Sequence, residues 1–382
     1  MKILTYYLPQ FHEIEENNKW WGVGFTEWTN VKKAKKLFPG HNVPRIPLNS
    51  NYYNLLDINT QKWQVELAKE YGIYGFCMYH YWFNGHMLLE KPINQYLEHK
   101  ELDLPFCFSW ANEYWTNGWV SSDNKILIAH DNNNENDWIE HFNYFLPFFK
   151  DDRYIKINGK PLLIIYFPNI LQKCNEMIDC WRKLAKENGF DGIEILYQKA
   201  MTHFDNAIDK THFDGGIEFQ PGYSLVKNTN NVKKKYLNIK FKIVNYIKRK
   251  FNISFKKSNK CKLKHISYDK VWEDILNTYP DNENMYPGAF VDWDNTPRKG
   301  NRGSVYDGVT PEKFKKYLSK QIKRTKEIYN KDILFMFAWN EWGESGYLEP
   351  DTKWKYGFLE AVKDALIENG EFPSYPIFKQ GE

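Results

Sequence analysis

Two glutamates carry the sharpest chemical signal in this sequence. Glu341 and Glu344 lie three residues apart in FMFAWNEWGESGYLEPD, directly after an apolar, strand-like run. Two carboxyl groups with different pKa values suffice for chemistry at a glycosidic bond, because one protonates the leaving oxygen while the other acts as base or nucleophile. The spacing alone is also common on solvated helices, but its position after a strand and among tryptophans favours function. We therefore take Glu341 and Glu344 as candidate catalytic residues.

Polar and aromatic side chains also follow other apolar runs, in the motifs YHYWFN, WANEYW, VDWDN and AWNEW, and 18% of the chain is aromatic. Flat aromatic faces beside polar groups suit the C–H faces and hydroxyl rims of sugars. Part of this set is equally explained as core packing, and His80 in particular as a buried structural histidine. The candidate substrate-binding residues are Tyr7, Gln10, Glu27, Trp28, Tyr79, His80, Trp82, Trp110, Asn112, Glu113, Trp115, Gln220, Asp292, Trp293 and Asn340.

Eight short runs rich in β-branched and aromatic residues predict the strands that position these groups. They cover residues 2–7, 73–78, 105–110, 162–167, 192–197, 215–219, 288–291 and 333–338, and helical patterns such as 59–71 and 311–329 lie between them. Strands that alternate with helices indicate parallel βα units. In a barrel of such units the active site lies at the carboxyl ends of the strands, where the polar motifs occur. We predict an α/β fold, a (β/α)8 TIM barrel with long βα loops, as a single domain over residues 1–382.

A doubly wound nucleotide-binding sheet is the alternative architecture. It should show a glycine-rich turn after an early strand, whereas the first two predicted strands are followed by LPQFHEI and HYWFNG. Neither segment is a GxGxxG motif or a P-loop, so nucleotide binding of these types is disfavoured.

Apolar runs and cysteines in the sequence indicate the cellular compartment of the protein. The 382 residues contain no apolar run near 18 residues, which disfavours a transmembrane helix, and no signal-peptide pattern follows MKILTYYLPQF. The five cysteines form no CxxC pair, so we expect free thiols in a reducing compartment and no zinc site. The sequence predicts a cytoplasmic protein that needs no metal or other cofactor.

One segment is strongly basic. Residues 227–264 contain 14 Lys and Arg and no Asp or Glu, while the rest of the chain has a net charge of −10. We predict a basic insertion within residues 225–270, after the sixth strand. Its apolar positions lie near helical spacing, which fits an amphipathic helix on the anionic inner face of a membrane and fits a solvated insertion equally well. Nucleic acid is disfavoured as a partner, because the remaining chain is acidic.

Several long motifs together resemble a known family. The segments WWGVGFTEWTNV, FPGHNVPRIPL, YGIYGFCMYHYWFNG, LPFCFSWANEYW, VDWDNTPR and FAWNEWGESGYLEPD are similar to the WbsX-type family, labelled glycosyltransferases of bacterial polysaccharide loci. That family is in turn similar to glycoside hydrolase family 99, the retaining endo-α-mannosidases and endo-α-mannanases. The resemblance implies a (β/α)8 barrel that requires no metal and acts on an oligosaccharide or polysaccharide.

The resemblance also implies roles for the two glutamates. Glu341 matches the residue thought to take the proton of the sugar 2-hydroxyl, so that the 2-oxygen attacks the anomeric carbon and forms an anhydro sugar. Glu344 matches the general acid that protonates the leaving group and then activates water. Family 99 usually reads NEWHEG where this chain reads NEWGESG. We expect the missing side chain at Gly343 to enlarge the acceptor side.

Two enzymatic functions remain open at this point. The first is a retaining glycoside hydrolase or transglycosidase that acts on an α-linked glycan, which the barrel and the paired glutamates favour. The second is a glycosyltransferase that adds a sugar to a lipid-linked polysaccharide intermediate, which the family label and the basic segment favour. A non-catalytic carbohydrate-binding module is a third and weaker alternative, because it has no need of paired glutamates.

Overall fold

A barrel of parallel strands forms the centre of the computed structural model, which describes residues 1–116, 125–130, 133–200, 210–227 and 262–378. Its strands are β1 (Lys2–Tyr7), β2 (Gly75–Phe83), β3 (Phe106–Trp110), β4 (Lys160–Ile165), β5 (Glu194–Lys199), β6 (Gly215–Glu218), β7 (Met285–Tyr286 and Gly288–Phe290) and β8 (Ile333–Phe337). Sequential strands pair in parallel, and β1 pairs with both β2 and β8. The predicted (β/α)8 barrel is confirmed.

The seventh position of the barrel is divided between two short strands. Met285–Tyr286 pairs with β6, and Gly288–Phe290 pairs with β8. Pro287 lies between them and has no N–H to donate, so the ladder is interrupted at this residue. Its carbonyl still accepts a hydrogen bond from the Phe335 N–H at 3.2 Å. Nine strands therefore occupy eight positions, and the sheet is nearly closed.

Helices cover the outside of the sheet. The longer ones are Ile58–Glu70, Lys91–Glu98, Glu135–Lys150, Cys174–Glu187, Tyr268–Leu276, Pro311–Glu327 and Gly357–Glu368. In Pro311–Glu327, Phe314, Leu318 and Ile322 recur at spacings of four and are buried against the barrel. The Thr310 hydroxyl accepts from the Lys313 N–H and caps this helix. The amphipathic pattern thus explains why these segments form the outer layer.

Shorter elements build the loops at the two ends of the barrel. The short helices are Glu15–Trp21, Glu27–Lys33, Gly222–Lys227 and Thr296–Lys299, with 3-10 turns at Leu48–Ser50, Pro168–Ile170, Lys210–His212, Gly300–Arg302 and Trp342–Glu344. The short strands are His86–Leu88, Trp115–Thr116, Ile126–Ile128, Lys156–Ile157, Lys264–Ser267, Ser304–Asp307, Asn340–Glu341 and Gly346–Tyr347.

Aromatic rings fill the barrel interior below its carboxyl-terminal mouth. The Tyr6 ring stacks on Tyr79 at a centroid distance of 5.5 Å and meets Phe219 edge-on at 5.2 Å. Tyr166 lies 6.1 Å from Tyr79 and 6.4 Å from Phe219. Tyr6 on β1 and Phe219 after β6 come from strands that are not neighbours in the barrel, so their contact crosses the interior. Aromatic side chains therefore fill the barrel interior below the carboxyl ends of the strands.

The sequence predicted some strand limits better than others. The first strand matches the predicted residues 2–7, whereas β2 continues to Phe83, five residues beyond the predicted 73–78. The basic insertion does follow β6, since Gly222–Lys227 precedes it and Lys264–Ser267 comes after it. Residues 228–261, and with them the predicted amphipathic helix, lie outside the described residues. The single-domain assignment stays a prediction.

None of the helices in the described ranges combines the length and the apolar character that crossing a membrane requires. Four cysteines fall in the same ranges, and all four are free thiols: Cys77, Cys107, Cys174 and Cys180.

Candidate active site

The two candidate catalytic glutamates lie in one tight turn at the mouth of the barrel. After β8, Asn340–Glu341 pairs antiparallel with Gly346–Tyr347, and the 3-10 turn Trp342–Glu344 connects them. The backbone N–H of Glu344 donates to Glu341 Oε1 at 3.2 Å. The Glu341 side chain is 5% exposed and that of Glu344 is 16% exposed. The turn brings both carboxyl groups together, with Glu341 the more deeply buried.

A buried arginine, Arg298, contacts both glutamates and a third one. Its Nη2 lies 2.8 Å from Glu341 Oε1, its Nη1 lies 3.4 Å from Glu344 Oε1, and its Nε donates to Glu27 Oε1 at 2.8 Å. The Arg298 side chain is only 3% exposed. It comes from the short helix Thr296–Lys299 after β7, and Glu27 begins the helix Glu27–Lys33 in the loop after β1. Three loops therefore meet at one guanidinium group.

Sequence reasoning did not select Arg298, although the residue lies in the quoted segment VDWDNTPR. The signal for Arg298 was its position just after a strand, in a protein whose other strand ends carry several glutamates. Carboxylates that are buried together require a nearby cation, and this arginine could supply it. Glu27, one of the predicted substrate-binding residues, lies inside the cluster as the third carboxylate on Arg298.

Burial and charge shift the titration of the carboxyl groups. Burial raises the pKa of Glu341 to about 8, opposed by the charge of Arg298 and supported by the charges of Glu344 and Glu27. Burial also raises the pKa of Glu113, and the charge of Glu344 adds to this shift. A carboxyl group that is partly protonated near neutral pH can donate or accept a proton, which suits general acid and base catalysis.

Gly343 fills a different role from the one expected. A Cβ added at this residue would overlap Glu27 Oε1 and would lie 2.5 Å from Arg298 Nε. The space beside Gly343 is thus occupied by the Glu27–Arg298 ion pair, and the expectation that it enlarges the acceptor side is wrong. A glycine is required here because the ion pair packs directly against the turn.

Aromatic side chains surround the carboxylates. Tyr81 accepts a hydrogen bond from Gln10 Nε2 at 2.8 Å. Burial raises the pKa of Tyr81, and the charge of Glu341 adds to this shift. Burial raises the pKa of Tyr166, and the charges of Glu113 and Glu344 raise it further. Trp115 meets the Tyr81 ring edge-on at 5.3 Å. Of the predicted residues, Glu27 contacts Arg298 and Glu113 lies within electrostatic range of Glu344. Gln10 and Trp115 contact Tyr81, and Tyr79 lies in the interior beside Tyr166.

Two predicted asparagines join neighbouring strand ends to each other. Asn340 accepts from the Leu8 N–H at 2.8 Å and donates to the Leu8 carbonyl at 3.0 Å. Asn112 makes the same pair of bonds with Phe167, at 2.7 and 2.8 Å. Both side chains are completely buried. Their amide groups are engaged by backbone, so they hold the loops in place at the mouth.

Four predicted residues face the helix layer and lie apart from the carboxylates. Trp82 stacks on His141 of the helix Glu135–Lys150 at 4.5 Å, and His80 Nε2 lies 2.9 Å from His141 Nε2. The other two are Tyr7, which donates to Gln64 at 2.8 Å, and Trp110, which packs against Trp181 at 6.0 Å. Because β2 continues past 78, its residues alternate between interior and exterior, and this places His80 and Trp82 outside.

The remaining predicted residues pack around the site loops. Trp28 packs on Trp342 at 5.3 Å, and its Nε1 donates to the Tyr53 carbonyl. Asp292 forms a buried ion pair with Arg45 at 2.7 Å. Trp293 is partly exposed beside Phe337, at 5.6 Å. Gln220 accepts from the Ser224 hydroxyl at 2.9 Å.

Sequence reasoning also missed Glu349, whose carboxyl group supports the turn that carries the two candidate catalytic glutamates. Its carboxyl group accepts from Trp342 Nε1 at 2.6 Å, Gln64 Nε2 at 2.7 Å and the Tyr53 hydroxyl at 2.8 Å. Burial raises the pKa of Glu349 to about 7. Because Trp342 lies between the two candidate catalytic glutamates in sequence, this network fixes the turn that carries them.

Metal ligands are not clustered in the described part of the chain, where no group of three or more His, Cys, Asp or Glu side chains has a geometry that could hold a metal ion. The candidate site is thus built from carboxyl groups, one guanidinium group and aromatic rings.

Comparisons with known proteins concern the family and the fold of the chain. The family model "Glycosyltransferase WbsX" matches residues 3–362. The uncharacterized protein WxcX from two strains of Xanthomonas campestris pv. campestris is 31% identical over 370 residues. That match covers 95% of this chain and 49% of WxcX, so the chain spans about half the length of the curated relatives it matches.

Solved structures share the fold. A GH99 endo-α-mannosidase from Bacteroides thetaiotaomicron superposes with a TM-score of 0.54 at 11% identity, covering 97% of both chains. A structure titled glycoside hydrolase-like protein superposes with a TM-score of 0.55 at 10% identity, covering 95% of this chain and 93% of the other. These superpositions cover nearly the whole of each chain and show that the structures share one fold.

Proposed function

Because the chain belongs to the glycosyltransferase WbsX family and has a glycoside hydrolase-like barrel, we propose that it is a retaining, family 99-like enzyme of bacterial surface polysaccharide metabolism that acts on an α-linked glycan. The observation that carries this proposal is the pair of carboxyl groups, the buried Glu341 and the partly exposed Glu344, held in one turn and on one arginine. Cleavage of a glycosidic bond typically uses two carboxyl groups, one protonated as the acid and one ionised as the base or nucleophile.

The two glutamates take different roles in the proposed reaction. Glu341 removes the proton of the sugar 2-hydroxyl, and the freed 2-oxygen forms a bond to the anomeric carbon. The bond from that carbon to the leaving oxygen breaks, and Glu344 gives its proton to the leaving oxygen. Water then opens the anhydro sugar with the proton transfers reversed, which retains the anomeric configuration. The raised pKa makes the deprotonated Glu341 a stronger base, and the charge of Arg298 at 2.8 Å favours that deprotonated form.

The site surroundings support a sugar ligand. Tyr81, Tyr166 and Trp115 supply aromatic faces beside the carboxyl groups, and Gln10 and Glu113 supply polar groups. Aromatic walls with a few polar groups are typical of carbohydrate clefts. The structural neighbour titled endo-α-mannosidase makes a mannose-like, α-linked glycan the first substrate class to test.

A glycosyltransferase that extends a lipid-linked intermediate is the second candidate function. The family description and the basic segment favour it. Its site would use the same two carboxyl groups, with a nucleotide sugar as donor. The two functions differ in whether a nucleotide sugar is required, and this difference can be measured directly.

The test is to incubate the purified protein with the host surface polysaccharide, with and without nucleotide sugars, and to analyse the products by mass spectrometry. Shortened glycan without nucleotide supports hydrolysis, and a gain of one sugar only with nucleotide supports transfer. Glu341→Gln and Glu344→Gln should each lower turnover by about 10² or more. Glu360→Gln is the control, because Glu360 is an exposed glutamate in the helix Gly357–Glu368.

The separate roles predict a difference between the two variants on an activated aryl glycoside. Its leaving group departs without much protonation, so Glu344→Gln should regain much of the first step while Glu341→Gln stays inactive. A 2-deoxy substrate should fail with the unchanged enzyme, because the attacking oxygen is missing. Ordinary turnover of the 2-deoxy substrate would exclude the 2-hydroxyl route.

A further inference from the structure

Arg298 contacts its three glutamates through three different nitrogen atoms. Nε binds Glu27, Nη2 approaches Glu341 and Nη1 approaches Glu344, at 2.8, 2.8 and 3.4 Å. A guanidinium group presents these nitrogens in a rigid fork, whereas a lysine ammonium is a single point of charge. The arrangement therefore uses a property that only arginine has: it can hold two carboxyl groups at once in a fixed relation.

Burial makes these contacts strong. The side chains of Arg298 and Glu27 are 3% and 4% exposed, so water screens their charges poorly. The Glu27 hydrogen bond holds the guanidinium through a nitrogen that neither catalytic carboxyl group uses, and Gly343 leaves the room that this pair needs. Arg298 is consequently fixed in place without depending on either catalytic carboxyl group.

On the proposed function, we infer that Arg298 is a positioning residue that couples Glu341 and Glu344, because it contacts whichever of the two carries the negative charge at each stage of the reaction. When Glu341 takes the proton of the 2-hydroxyl and Glu344 gives its proton to the leaving oxygen, one negative charge moves from Glu341 to Glu344. The number of protons on the pair is unchanged. A cation that touches both groups stabilises the charge before and after the step, with little movement of its own.

The groups that face Glu341 come from several elements. Arg298 and Glu27 belong to the loops after β7 and β1, and Glu344 belongs to the same turn. Tyr81 on β2 and Tyr166 after β4 lie within electrostatic range of Glu341. Arg298 is the positive group among them. Removing its charge should therefore make protonation of Glu341 easier, and removing the charge of Glu27 should make it harder.

These opposite directions give the experiment. Glutamate is labelled with ¹³C at the side-chain carboxyl carbon, Glu341 is assigned by its loss in Glu341→Gln, and its titration is followed by NMR. Arg298→Met should move the midpoint upward and Glu27→Gln should move it downward, relative to the unchanged protein. The Glu27→Gln side chain keeps an oxygen that can accept from Arg298 Nε, so this variant tests charge with the geometry preserved. Arg302→Lys, at an exposed arginine four residues away, is the control and should shift nothing.

Activity gives the second readout. On an unactivated glycan, Arg298→Met should lower kcat/KM by about 10² or more. Arg298→Lys should recover only part of it, because one ammonium cannot span both carboxyl groups. The acid limb of the kcat/KM profile should move in the same direction as the NMR midpoint in each variant.

The inference and the proposed function can fail separately. If no glycan is turned over by the unchanged enzyme, the NMR titration still tests whether Arg298 and Glu27 act on Glu341 in opposite directions. If the enzyme is active but Glu341 titrates at the same pH in Arg298→Met and Glu27→Gln, the coupling role is overturned. Shifts in the same direction in both variants, with a folded circular dichroism spectrum, would overturn it as well.

Discussion

At the scale of single residues, the site depends on a glycine as much as on its charged groups. Gly343 lies between the two candidate catalytic glutamates, and the Glu27–Arg298 ion pair packs where its side chain would be. Each of these residues explains another: a buried arginine needs carboxylates, and the close approach of the pair needs a residue without a Cβ. The glycine of the motif NEWGES is therefore explained by packing against the Glu27–Arg298 ion pair, and its glutamates by the proposed chemistry.

Gly343→Ala should destabilise the protein and disturb the site. The added methyl group overlaps Glu27 and Arg298, and overpacking of a buried position typically costs about 1–3 kcal/mol. Urea denaturation measures this change in the free energy of unfolding. Glu27→Ala should remove part of this cost in the double variant, since it removes the closest atom, Glu27 Oε1, and leaves the contact with Arg298. Gly357→Ala is the control, because a Cβ there meets only the Pro311 ring at 3.0 Å. Equal destabilisation with and without Glu27 would contradict this explanation.

At the scale of elements, the two faces of β2 divide function from packing. Tyr79 and Tyr81 point into the barrel, whereas His80 and Trp82 contact the helix Glu135–Lys150. Trp82 Nε1 donates to Asp137 of that helix at 2.9 Å. The polar residues of YHYWFN thus serve two purposes within one strand, according to the side on which each lies.

The buried histidine pair should make the protein sensitive to acid. Burial lowers the pKa of His80 to about 3 and also lowers that of His141, while both titrate near 6.5 in the unfolded chain. The unfolded state then binds more protons below pH 6.5, so stability is complete above that pH and is lost as the pH falls. Each histidine contributes up to about 1.4 kcal/mol per pH unit in this window.

Urea denaturation between pH 7 and pH 4 measures this dependence. His80→Phe should flatten the slope of unfolding free energy against pH. His86→Gln is the matched control, because His86 lies exposed on the strand next to β2 and should leave the slope unchanged. A slope that is the same in His80→Phe and in the unchanged protein would show that the histidine pair is not the source.

At the scale of the whole molecule, charge is segregated along the chain. The 14 basic residues of 227–264 contrast with a net charge of −10 elsewhere. In the chain, the insertion comes after β6, where the flanking described elements are the helix Gly222–Lys227 and the strand Lys264–Ser267. We propose that it attaches the enzyme to an anionic membrane surface, where a lipid-linked glycan would be located.

Liposome flotation tests this attachment. Binding to vesicles containing anionic lipid should weaken with salt, because charges are screened within about 10 Å at 0.1 M. Replacing Lys248, Arg249 and Lys250 by Gln should weaken binding by on the order of 10²-fold, at about 1 kcal/mol per charge. The matched control is a triple variant that replaces Lys316, Lys320 and Lys323 by Gln, at exposed positions of the helix Pro311–Glu327. Equal flotation of both triple variants would leave the segment a solvated insertion.

Local patterns in the sequence were sufficient to predict the architecture and the position of the two central glutamates. The strand positions, the helices such as Pro311–Glu327 and the placement of Glu341 and Glu344 after β8 follow from local patterns of apolar and polar residues. These features depend on neighbours within a few residues, so a linear pattern is sufficient to predict them. The long motifs also identified the family correctly.

Which residues share the site depends on contacts between distant parts of the chain. Arg298 is 271 positions from Glu27 and 43 from Glu341, and no local pattern indicates that they touch. The division of β2 into two faces depended on where the strand ends, and the roles of Asn112 and Asn340 depended on which backbone groups lie opposite them. Ion pairs between loops and the face on which a side chain lies arise from long-range packing, because the closure of the barrel sets the distances between segments far apart in sequence.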